Sequence, residues 1–309
     1  MSMSRTSQRA CAQTRLVSTA AQKRVLITGG NTGIGYVAAL ELAKRDYEVV
    51  LACRDAQKAQ DAKLRLEAAV PGARVSTEML DLASLTSVSA CASRLLDQPV
   101  FDVVLNNAGV MACPKMSTDD GYEFQLGVNH LGHFALTSAL LPSLTGAGKP
   151  VRIINVASSA HQFGKIDFGN LMREKDYQPW EAYGQSKLAN VMYTYELARR
   201  MAPHPQVTVN CLHPGVVKTE LGRYMVQDAW YMPAAIAVAS VFFKTPEQGA
   251  QTSVYLASSN AVNVLSGKYF DDCKVISSSL ASYDQAVAAR LYDLSSELVA
   301  AKVPAAAAW

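Results

Sequence analysis

Residues 25–35 read V-L-I-T-G-G-N-T-G-I-G, a short apolar run that passes directly into spaced glycines and then into a helical pattern. The glycines follow the spacing T-G-x-x-x-G-x-G. Glycines in such a place permit a tight turn and let backbone N–H groups and a helix N-terminus approach a pyrophosphate. The stretch therefore predicts a dinucleotide-binding loop between a first strand and a first helix. The residues of this predicted loop are Gly29, Asn31, Thr32, Gly33, Ile34 and Gly35.

On both sides of this loop the chain alternates short apolar runs with amphipathic segments. The predicted strands are Arg24–Thr28, Glu48–Cys53, Arg74–Met79, Val103–Asn106, Val151–Val156, Val207–Leu212 and Lys268–Phe270. The predicted helices are Gly33–Arg45, Ala56–Ala69, Leu85–Leu96, a long one around Tyr122–Leu144, Glu181–Met201 and Glu247–Ala257. Apolar strands separated by helices indicate an α/β fold with a doubly wound parallel sheet, the Rossmann fold. With no linker or repeat visible, we predict a single domain over residues 24–300 and a frayed tail over 301–309.

Composition and charge narrow the class of protein. Half of the 309 residues are hydrophobic and 18% are charged, which excludes global disorder. The net charge is +3, but five basic residues precede the first acidic one, Glu41, so the rest of the chain carries a net charge of −2. A folded body without basic excess argues against nucleic acid as a partner.

Residues 1–23 are rich in Ser, Thr, Ala, Gln and Arg and contain no Asp or Glu. This composition is typical of an organelle transit peptide and lacks the apolar core of a secretory signal. The alternative is a disordered extension without an address. The six cysteines are scattered with no C-x-x-C, which favours a reducing compartment and gives no sign of a zinc site.

The segment A-Y-G-Q-S-K-L, residues 182–188, places a phenol at Tyr183 and an ammonium at Lys187 on one face of a predicted helix. Taken alone, such a pair is most often an ordinary surface pair. A free phenol has a pKa near ~10, and a positive charge one turn away favours the phenolate and lowers that pKa. The Tyr183–Lys187 pair therefore indicates catalysis only if other motifs in the chain support it.

Further motifs occur in order along the chain, each at the end of a predicted strand or within a predicted helix. They are D-L-A-S-L from Asp81, N-N-A-G at 106–109, V-N-H-L-G-H-F around Asn129, N-V-A-S ending at Ser158, and L-H-P-G-V-V-K-T at 212–219. Together with the glycine loop and Y-x-x-x-K, this set resembles the short-chain dehydrogenase/reductase family, in its retinol dehydrogenase branch. The resemblance covers about residues 24–270.

The resemblance implies a catalytic tetrad of Asn129, Ser158, Tyr183 and Lys187. Tyr183 would exchange a proton with the substrate oxygen, and Ser158 would hold that oxygen. Lys187 would lower the phenol pKa, aided by a nicotinamide that is positive when oxidised, and would bind the nicotinamide ribose. Asn129 would fix a water between Lys187 and solvent. These roles describe an enzyme that interconverts alcohols and carbonyls.

The same resemblance implies a cofactor site and its selectivity. Besides the glycine loop, the implied cofactor-binding residues are Arg54, Asp81, Leu82, Asn107, Tyr183, Lys187, Gly215, Val217 and Thr219. The family selects NAD with an acidic residue at the end of the second strand, where this chain has neutral Cys53 followed by Arg54. A guanidinium there can hold a 2′-phosphate, so we expect NADP(H). His130 and His133 have a spacing that could serve zinc, but we interpret them as helix-packing residues and expect no metal.

Two segments bear on the substrate. Between Ser158 and Tyr183 the chain carries an insertion whose aromatic residues either line a pocket mouth or pack on their own loop; they are Phe163, Phe168, Tyr177 and Trp180. Residues 231–243 contain a single polar side chain, Ser240. We expect Trp230–Phe243 to close over an apolar substrate and to touch a membrane surface, with ordinary core packing as the alternative.

The sequence thus predicts an NADP(H)-dependent oxidoreductase for an apolar aldehyde, ketone or retinal-like substrate, with a second copy of the chain as a further partner. Within the branch, the motifs look most similar to the plant dehydrogenase associated with protein import at the chloroplast inner envelope. That similarity implies a chloroplast rather than a mitochondrion, with the cytoplasm as alternative. Two other readings stay open, an NADPH-sensing subunit of a membrane import complex and a protochlorophyllide reductase-like enzyme. An epimerase is disfavoured because G-x-x-G-x-x-G is absent.

Overall fold

The computed structural model describes residues 22–217 and 244–303. Within these ranges the chain forms an eight-stranded sheet in the order β3-β2-β1-β4-β5-β6-β7-β8. The strands are β1 (Arg24–Thr28), β2 (Glu48–Cys53), β3 (Val75–Met79), β4 (Val103–Asn106), β5 (Val151–Val156), β6 (Val207–Leu212), β7 (Lys268–Asp271) and β8 (Lys274–Ile276). Strands β1 to β7 are parallel and β8 pairs antiparallel with β7. The predicted α/β fold in one domain is confirmed.

Helices cover both faces of this sheet. They are α1 (Gly33–Ala43), α2 (Ala56–Ala69), α3 (Leu85–Leu96), α4 (Phe124–Leu126), α5 (Gly132–Thr145), α6 (Pro179–Arg200), α7 (Pro246–Ser258) and α8 (Gln285–Ala300). A π-helical turn, Gly127–Leu131, joins α4 to α5. No helix in the described part of the chain is both long enough and apolar enough to cross a membrane.

Two hydrophobic cores, one on each face of the sheet, follow from the alternation of side chains along each strand. In β1, Leu26 points into the core that α3, α5, α6 and α8 share. Val25 and Ile27 point into the opposite core, with α1, α2 and α7. Because strands β1, β4 and β5 are buried on both faces, they are apolar nearly throughout, which is why their bounds can be read from the sequence.

The strand order reverses beside β1, since the chain builds outward to β2 and β3 and then crosses back to β4. In doubly wound sheets a crevice forms at such a reversal, beyond the carboxyl ends of the strands, and ligands bind there. Here the loops after β1 and β4 meet at that point. A Cβ atom added to Gly29 would lie 2.9 Å from the Ala108 Cβ, so the two loops touch directly.

The predicted element bounds need a few corrections. Helix α1 ends at Ala43, not Arg45, because Asp46 takes a left-handed conformation (φ 63°) and Tyr47 N–H returns to the Leu42 carbonyl. The long helix predicted around Tyr122–Leu144 is present as one unbroken helical run over residues 124–145, but it contains a π turn that was not predicted. Strand β8 and helix α8 were not predicted at all.

Candidate active site

The glycine loop is held closed against the loop that follows β4. Gly29 and Gly33 have positive φ angles, 65° and 55°, which side chains with a Cβ rarely adopt. A Cβ atom on Gly35 would lie 2.5 Å from both the Asn107 amide nitrogen and the Gly29 carbonyl oxygen. Larger residues at these positions would push the two loops apart, so the glycines are needed for this close approach.

The N-terminus of α1 is suited to a pyrophosphate. Thr32 is its N-cap residue, but the Thr32 side chain makes no capping hydrogen bond, and the first turn contains no acidic residue. The first backbone N–H groups of a helix have no partner within it and carry positive partial charge. A glycine cradle in front of such uncapped N–H groups fits the phosphates of a dinucleotide.

Thr28, the last residue of β1, connects the glycine loop to N-N-A-G. Its buried hydroxyl oxygen accepts hydrogen bonds from the backbone N–H groups of Asn107, at 2.9 Å, and Ala108, at 3.0 Å. The Asn107 amide in turn donates to the Thr28 carbonyl at 2.8 Å. These three bonds fix the end of β4 relative to the phosphate loop.

Asn129 lies in the π turn and is fully buried. Its Oδ1 accepts from Val110 N–H at 2.8 Å, and its Nδ2 donates to the Val110 carbonyl and to Ser186 Oγ, both at 2.9 Å. Ser186 Oγ donates to the Tyr183 carbonyl at 2.8 Å. The Asn129 side chain therefore ties the loop after β4 to helix α6, and π turns inside helices are frequent at functional sites.

The other three predicted catalytic residues meet where β5 and α6 adjoin. Tyr183 and Lys187 are each 3% exposed, and Lys187 Nζ lies 5.7 Å from the centre of the Tyr183 ring. Lys187 Nζ also donates to the Val156 carbonyl at 3.2 Å, and the Ser158 hydroxyl is hydrogen-bonded to the Tyr183 phenol. A Cβ atom on Gly109 would lie 3.0 Å from Asn129 Oδ1 and 3.5 Å from Lys187 Nζ. All four predicted residues therefore converge on one small volume.

Electrostatics in this volume differ from one expectation. Burial raises the pKa of Tyr183 to about 12, although its hydrogen bond with Ser158 acts in the opposite direction. Burial also lowers the pKa of Lys187 to about 8. The expected lowering of the phenol pKa by the ammonium is not found, because burial of the ring dominates and only the Ser158 hydrogen bond acts against it.

The end of the predicted cofactor site that would hold the adenosine is more open than the volume around Tyr183 and Lys187. The Asp81 carboxylate accepts from Ala83 N–H at 2.9 Å, and Leu82 is buried. A Cβ atom on Gly132 would lie 2.7 Å from the Leu82 carbonyl oxygen, so α5 packs directly on this loop. Arg54 is exposed directly after β2.

Arg65 of α2 joins this end of the site and was not identified from the sequence. Its guanidinium donates to the Asn31 carbonyl at 3.0 Å and lies 4.4 Å from the centre of the Tyr36 ring. A second cation therefore stands beside the glycine loop. No spacing in the sequence predicts the contact of Arg65 with the glycine loop, because packing decides which face of α2 is turned towards that loop.

The segment after β6 returns to the glycine loop. Gly215 has a φ of 81° and precedes Val217, which pairs with Lys244 in a parallel bridge. A Cβ atom on Gly249 would lie 2.6 Å from Val217 and 3.3 Å from Ile34, so these side chains pack around it. Thr219 and the apolar segment Trp230–Phe243 lie outside the described residues.

The aromatic residues of the insertion divide between the two predicted alternatives. Trp180 meets Tyr183 edge to face, and the exposed ring of Phe163 packs on Gly184. Tyr177 is tied inward, its hydroxyl donating to the Cys113 carbonyl at 2.9 Å. Phe168 also packs inward, under the guanidinium of Arg290 at 4.0 Å. Trp180 therefore lies against the Tyr183 ring and Phe163 against the next residue, whereas Tyr177 and Phe168 hold the insertion in place.

The two histidines of the π turn and α5 are engaged within the protein. His130 Nε2 lies 2.8 Å from Ser295 Oγ, and His133 contacts Thr28 and the Asn129 carbonyl. Burial lowers the pKa of each imidazole to about 4. Within residues 22–217 and 244–303, no group of three or more His, Cys, Asp or Glu side chains is arranged to hold a metal ion.

A doubly wound sheet with a glycine loop at its reversal, and a partly exposed serine with a buried tyrosine and lysine nearby, defines an oxidoreductase that acts on alcohol and carbonyl groups. Comparison with known proteins gives the family. The short chain dehydrogenase pattern matches residues 23–230. The chain belongs to the short-chain dehydrogenase/reductase family, whose members use NAD(P)(H), and it is an enzyme of that family.

Individual relatives agree with this assignment. Retinol dehydrogenase 14 of Homo sapiens is 44% identical over 291 residues, covering 90% of this chain and 86% of that protein. The crystal structure of an uncharacterized protein from Mycobacterium paratuberculosis is 35% identical with a TM-score of 0.73, covering 90% of this chain and 94% of that chain. RhlG of Pseudomonas aeruginosa, solved as an NADP active-site complex, is 25% identical with a TM-score of 0.64, covering 81% and 94%.

Proposed function

We propose that this enzyme interconverts a carbonyl and an alcohol on an apolar substrate with NADP(H), using Asn129, Ser158, Tyr183 and Lys187. The observation that carries the proposal is the Tyr183 phenol, buried beside Ser158 and Lys187 and in edge-to-face contact with the exposed indole of Trp180. Exposed aromatic surface beside the proton-exchanging residue favours apolar carbonyl compounds as substrates.

The protein's part of the reaction is the movement of one proton. A nicotinamide cofactor, when bound, would supply or accept the hydride. Tyr183 donates its hydroxyl proton to the carbonyl oxygen during reduction, or takes the proton of the alcohol during oxidation. The Ser158 hydroxyl holds the same oxygen in place. Lys187, with its pKa lowered to about 8 by burial, can pass a proton back towards Tyr183 near neutral pH.

Preference for NADP(H) is supported by the charges around the glycine loop. Arg54 directly follows β2, and Arg65 reaches the Asn31 carbonyl from α2. Cys53 stands where an acidic residue would select NAD, and burial raises the pKa of its thiol to about 11, so it adds no negative charge. The neighbouring Asp55 carboxylate caps α2 by accepting from Lys58 N–H, and the two guanidinium groups suit a 2′-phosphate.

Preference for an apolar substrate draws on the site and on the relatives. Trp180 offers ring surface next to Tyr183, and Phe163 offers it next to Gly184. The similar human protein is named a retinol dehydrogenase, and retinol is a long apolar alcohol. We therefore place retinal-like compounds and other apolar aldehydes first among the substrates.

The test is an NADPH-oxidation screen of the purified protein with retinal, apolar aldehydes, quinones and tetrapyrroles. Turnover of the apolar aldehydes is expected. The matched control is Tyr183→Phe, which should bind NADPH with unchanged affinity, since one hydroxyl is removed, but should turn over none of them. If the wild type binds NADPH yet reduces no carbonyl compound, or if Tyr183→Phe keeps turnover within a few-fold, the proposal is wrong.

For the cellular setting we propose an organelle, the chloroplast before the mitochondrion. The acid-free composition of residues 1–23 and the likeness of the motifs to the plant inner-envelope dehydrogenase support it. Residues 1–23 fused to a fluorescent protein should enter chloroplasts of leaf cells, and a diffuse cytoplasmic signal would contradict this. Contact of Trp230–Phe243 with a membrane and pairing with a second copy are proposals of the same kind, tested by liposome sedimentation and by light scattering.

A further inference from the structure

His133 lies in the first turn of α5, behind the four residues proposed to carry the reaction. Its side chain is 4% exposed. Nε2 lies 2.8 Å from Thr28 Oγ1, and Nδ1 lies 3.0 Å from the backbone carbonyl oxygen of Asn129. The imidazole thus bridges the end of β1, where the phosphate loop begins, and the π turn that carries Asn129.

The direction of each hydrogen bond follows from Thr28. The Thr28 hydroxyl oxygen already accepts two N–H groups, those of Asn107 and Ala108. A hydroxyl has two acceptor positions and one proton, so its own proton must be donated to His133 Nε2. His133 Nε2 is therefore an acceptor, the ring proton is on Nδ1, and Nδ1–H donates to the Asn129 carbonyl. One continuous chain of donors runs from the N-N-A-G backbone to Asn129.

This chain requires a neutral imidazole. A second ring proton would place Nε2–H against the Thr28 hydroxyl, whose two acceptor positions are filled. Burial and the nearby Lys187 charge both disfavour the imidazolium and lower the pKa of His133 to about 4. The direction of the chain is therefore the same throughout the pH range in which the enzyme would work.

We infer that His133 is a positioning residue, which fixes the Asn129 carbonyl and so sets the place of the Asn129 side chain relative to Lys187 and Tyr183. The reason is that the Asn129 side chain contacts both the loop after β4 and helix α6. Its side chain holds Val110 and Ser186, and Ser186 holds the Tyr183 carbonyl. A shift of the π turn would be transmitted to the loop after β4 and to α6 together. The inference rests on the reaction proposed above, because the roles of Asn129 and Lys187 belong to it.

Three substitutions separate the two hydrogen bonds. His133→Phe removes both while keeping a ring of similar size. His133→Asn puts an amide near the place of Nδ1, which keeps the bond to Asn129 and loses the one to Thr28. His133→Gln puts its amide near the place of Nε2, which keeps the bond to Thr28 and loses the one to Asn129. The matched control is His130→Phe, since His130 is equally buried but bonds to Ser295 of α8.

For His133→Phe we expect kcat with an apolar aldehyde to fall about 10- to 100-fold, as for misplacement of a reacting group, with the KM for NADPH changed by less than about threefold. His133→Asn should regain kcat to within about fivefold of wild type, and His133→Gln should stay low. His130→Phe should lose comparable thermal stability but keep its kcat. Equal kcat values for the two Phe variants, or no advantage of Asn over Gln, would overturn the inference.

A measurement on the protein without cofactor keeps the test independent of turnover. In protein labelled with ¹⁵N-histidine, NMR should show a His133 ring protonated at Nδ1 and neutral down to about pH 5. In protein labelled with ¹³C-lysine, the Lys187 titration should shift by about half a unit in His133→Phe and not in His130→Phe. A ring protonated at Nε2, or an unmoved Lys187 titration, refutes the inference even if the wild type turns over none of the screened carbonyl compounds. Absence of turnover in the wild type would contradict only the proposed function.

Discussion

The indole of Trp180 meets the phenol ring of Tyr183 edge to face, with 6.0 Å between the ring centres. Both residues lie near the start of α6, and their exposures differ sharply, 43% for Trp180 and 3% for Tyr183. The indole is therefore not part of the core. It covers one side of the approach to the phenol, where an apolar substrate would pass.

Trp180→Ala should raise the KM for apolar aldehydes about fivefold, because about 1 kcal/mol of aromatic contact with the substrate is lost. The dissociation constant for NADPH should not change, since the glycine loop lies elsewhere. Trp180→Phe should keep most of the contact and serves as the control. Because the side chain is largely exposed, the free energy of unfolding should move by less than about 0.5 kcal/mol. An unchanged KM would show that substrates do not pass this ring.

Arg54→Ala and Arg65→Ala should each raise the KM for NADPH far more than that for NADH. A guanidinium on the 2′-phosphate contributes about 1.5–3 kcal/mol through charge-assisted hydrogen bonds, so a change of roughly 10- to 150-fold is expected for NADPH. Lys63→Ala, also on α2 but paired with Glu67, is the control for general loss of positive charge. Equal effects on both cofactors would contradict the assignment of the 2′-phosphate to these residues.

Gly109→Ala should lower kcat at little cost to stability. The added methyl group would lie 3.0 Å from Asn129 Oδ1 and 3.5 Å from Lys187 Nζ, so the Asn129 amide must move by a few tenths of an ångström while Lys187 is only touched. Gly169→Ala, whose methyl group would meet nothing closer than 3.4 Å, is the matched control. Steady-state kinetics of the two variants, with thermal denaturation, separate the effects. Similar kcat values in the two variants would argue against a reacting volume beside Gly109.

Stability should fall as the pH is lowered from about 6.5 to about 4. The imidazoles of His130 and His133 have pKa values near 4 in the folded protein because they are buried, whereas in the unfolded chain they bind protons below about 6.5. Between these values the unfolded state binds more protons, so acid favours unfolding. Urea denaturation at pH 7 and pH 4.5 measures the drop. His130→Phe should show a smaller drop than wild type, and an equal drop would mean that His130 is charged in the fold.

Much of this structure was accessible from the sequence because its parallel strands are buried on both faces. Strands β1, β2, β4, β5 and β6 have the predicted bounds, since continuous apolar runs between turn signals leave little ambiguity. The four predicted catalytic residues converge because Ser158 follows the end of strand β5 and the other three lie on helical segments that pack there. Their places were therefore fixed once the order of the elements was known.

The parts that were missed depend on tertiary contacts or on signals that were not used. The π turn has no periodicity of its own; it arises where Asn129 bonds to Val110 and Ser186. The turn into β8 has positive φ angles at Asp272 and Cys273. Neither residue is a glycine, so the sequence does not indicate this turn. Helix α8 was predictable from the sequence, since Asp284 caps its first turn and its buried residues follow helical spacing.

Helix α8 has a consequence for how the protein is made. Its Tyr292 stacks on Tyr193 of α6 and packs against Phe134 of α5, and its Leu298 carbonyl accepts from the Tyr122 hydroxyl. While a ribosome is still translating residues 285–300, the apolar patch of α5 and α6 that α8 covers is exposed on the nascent polypeptide. Transiently exposed apolar surface of this kind favours aggregation, so this part of the core is completed only after translation has passed α8.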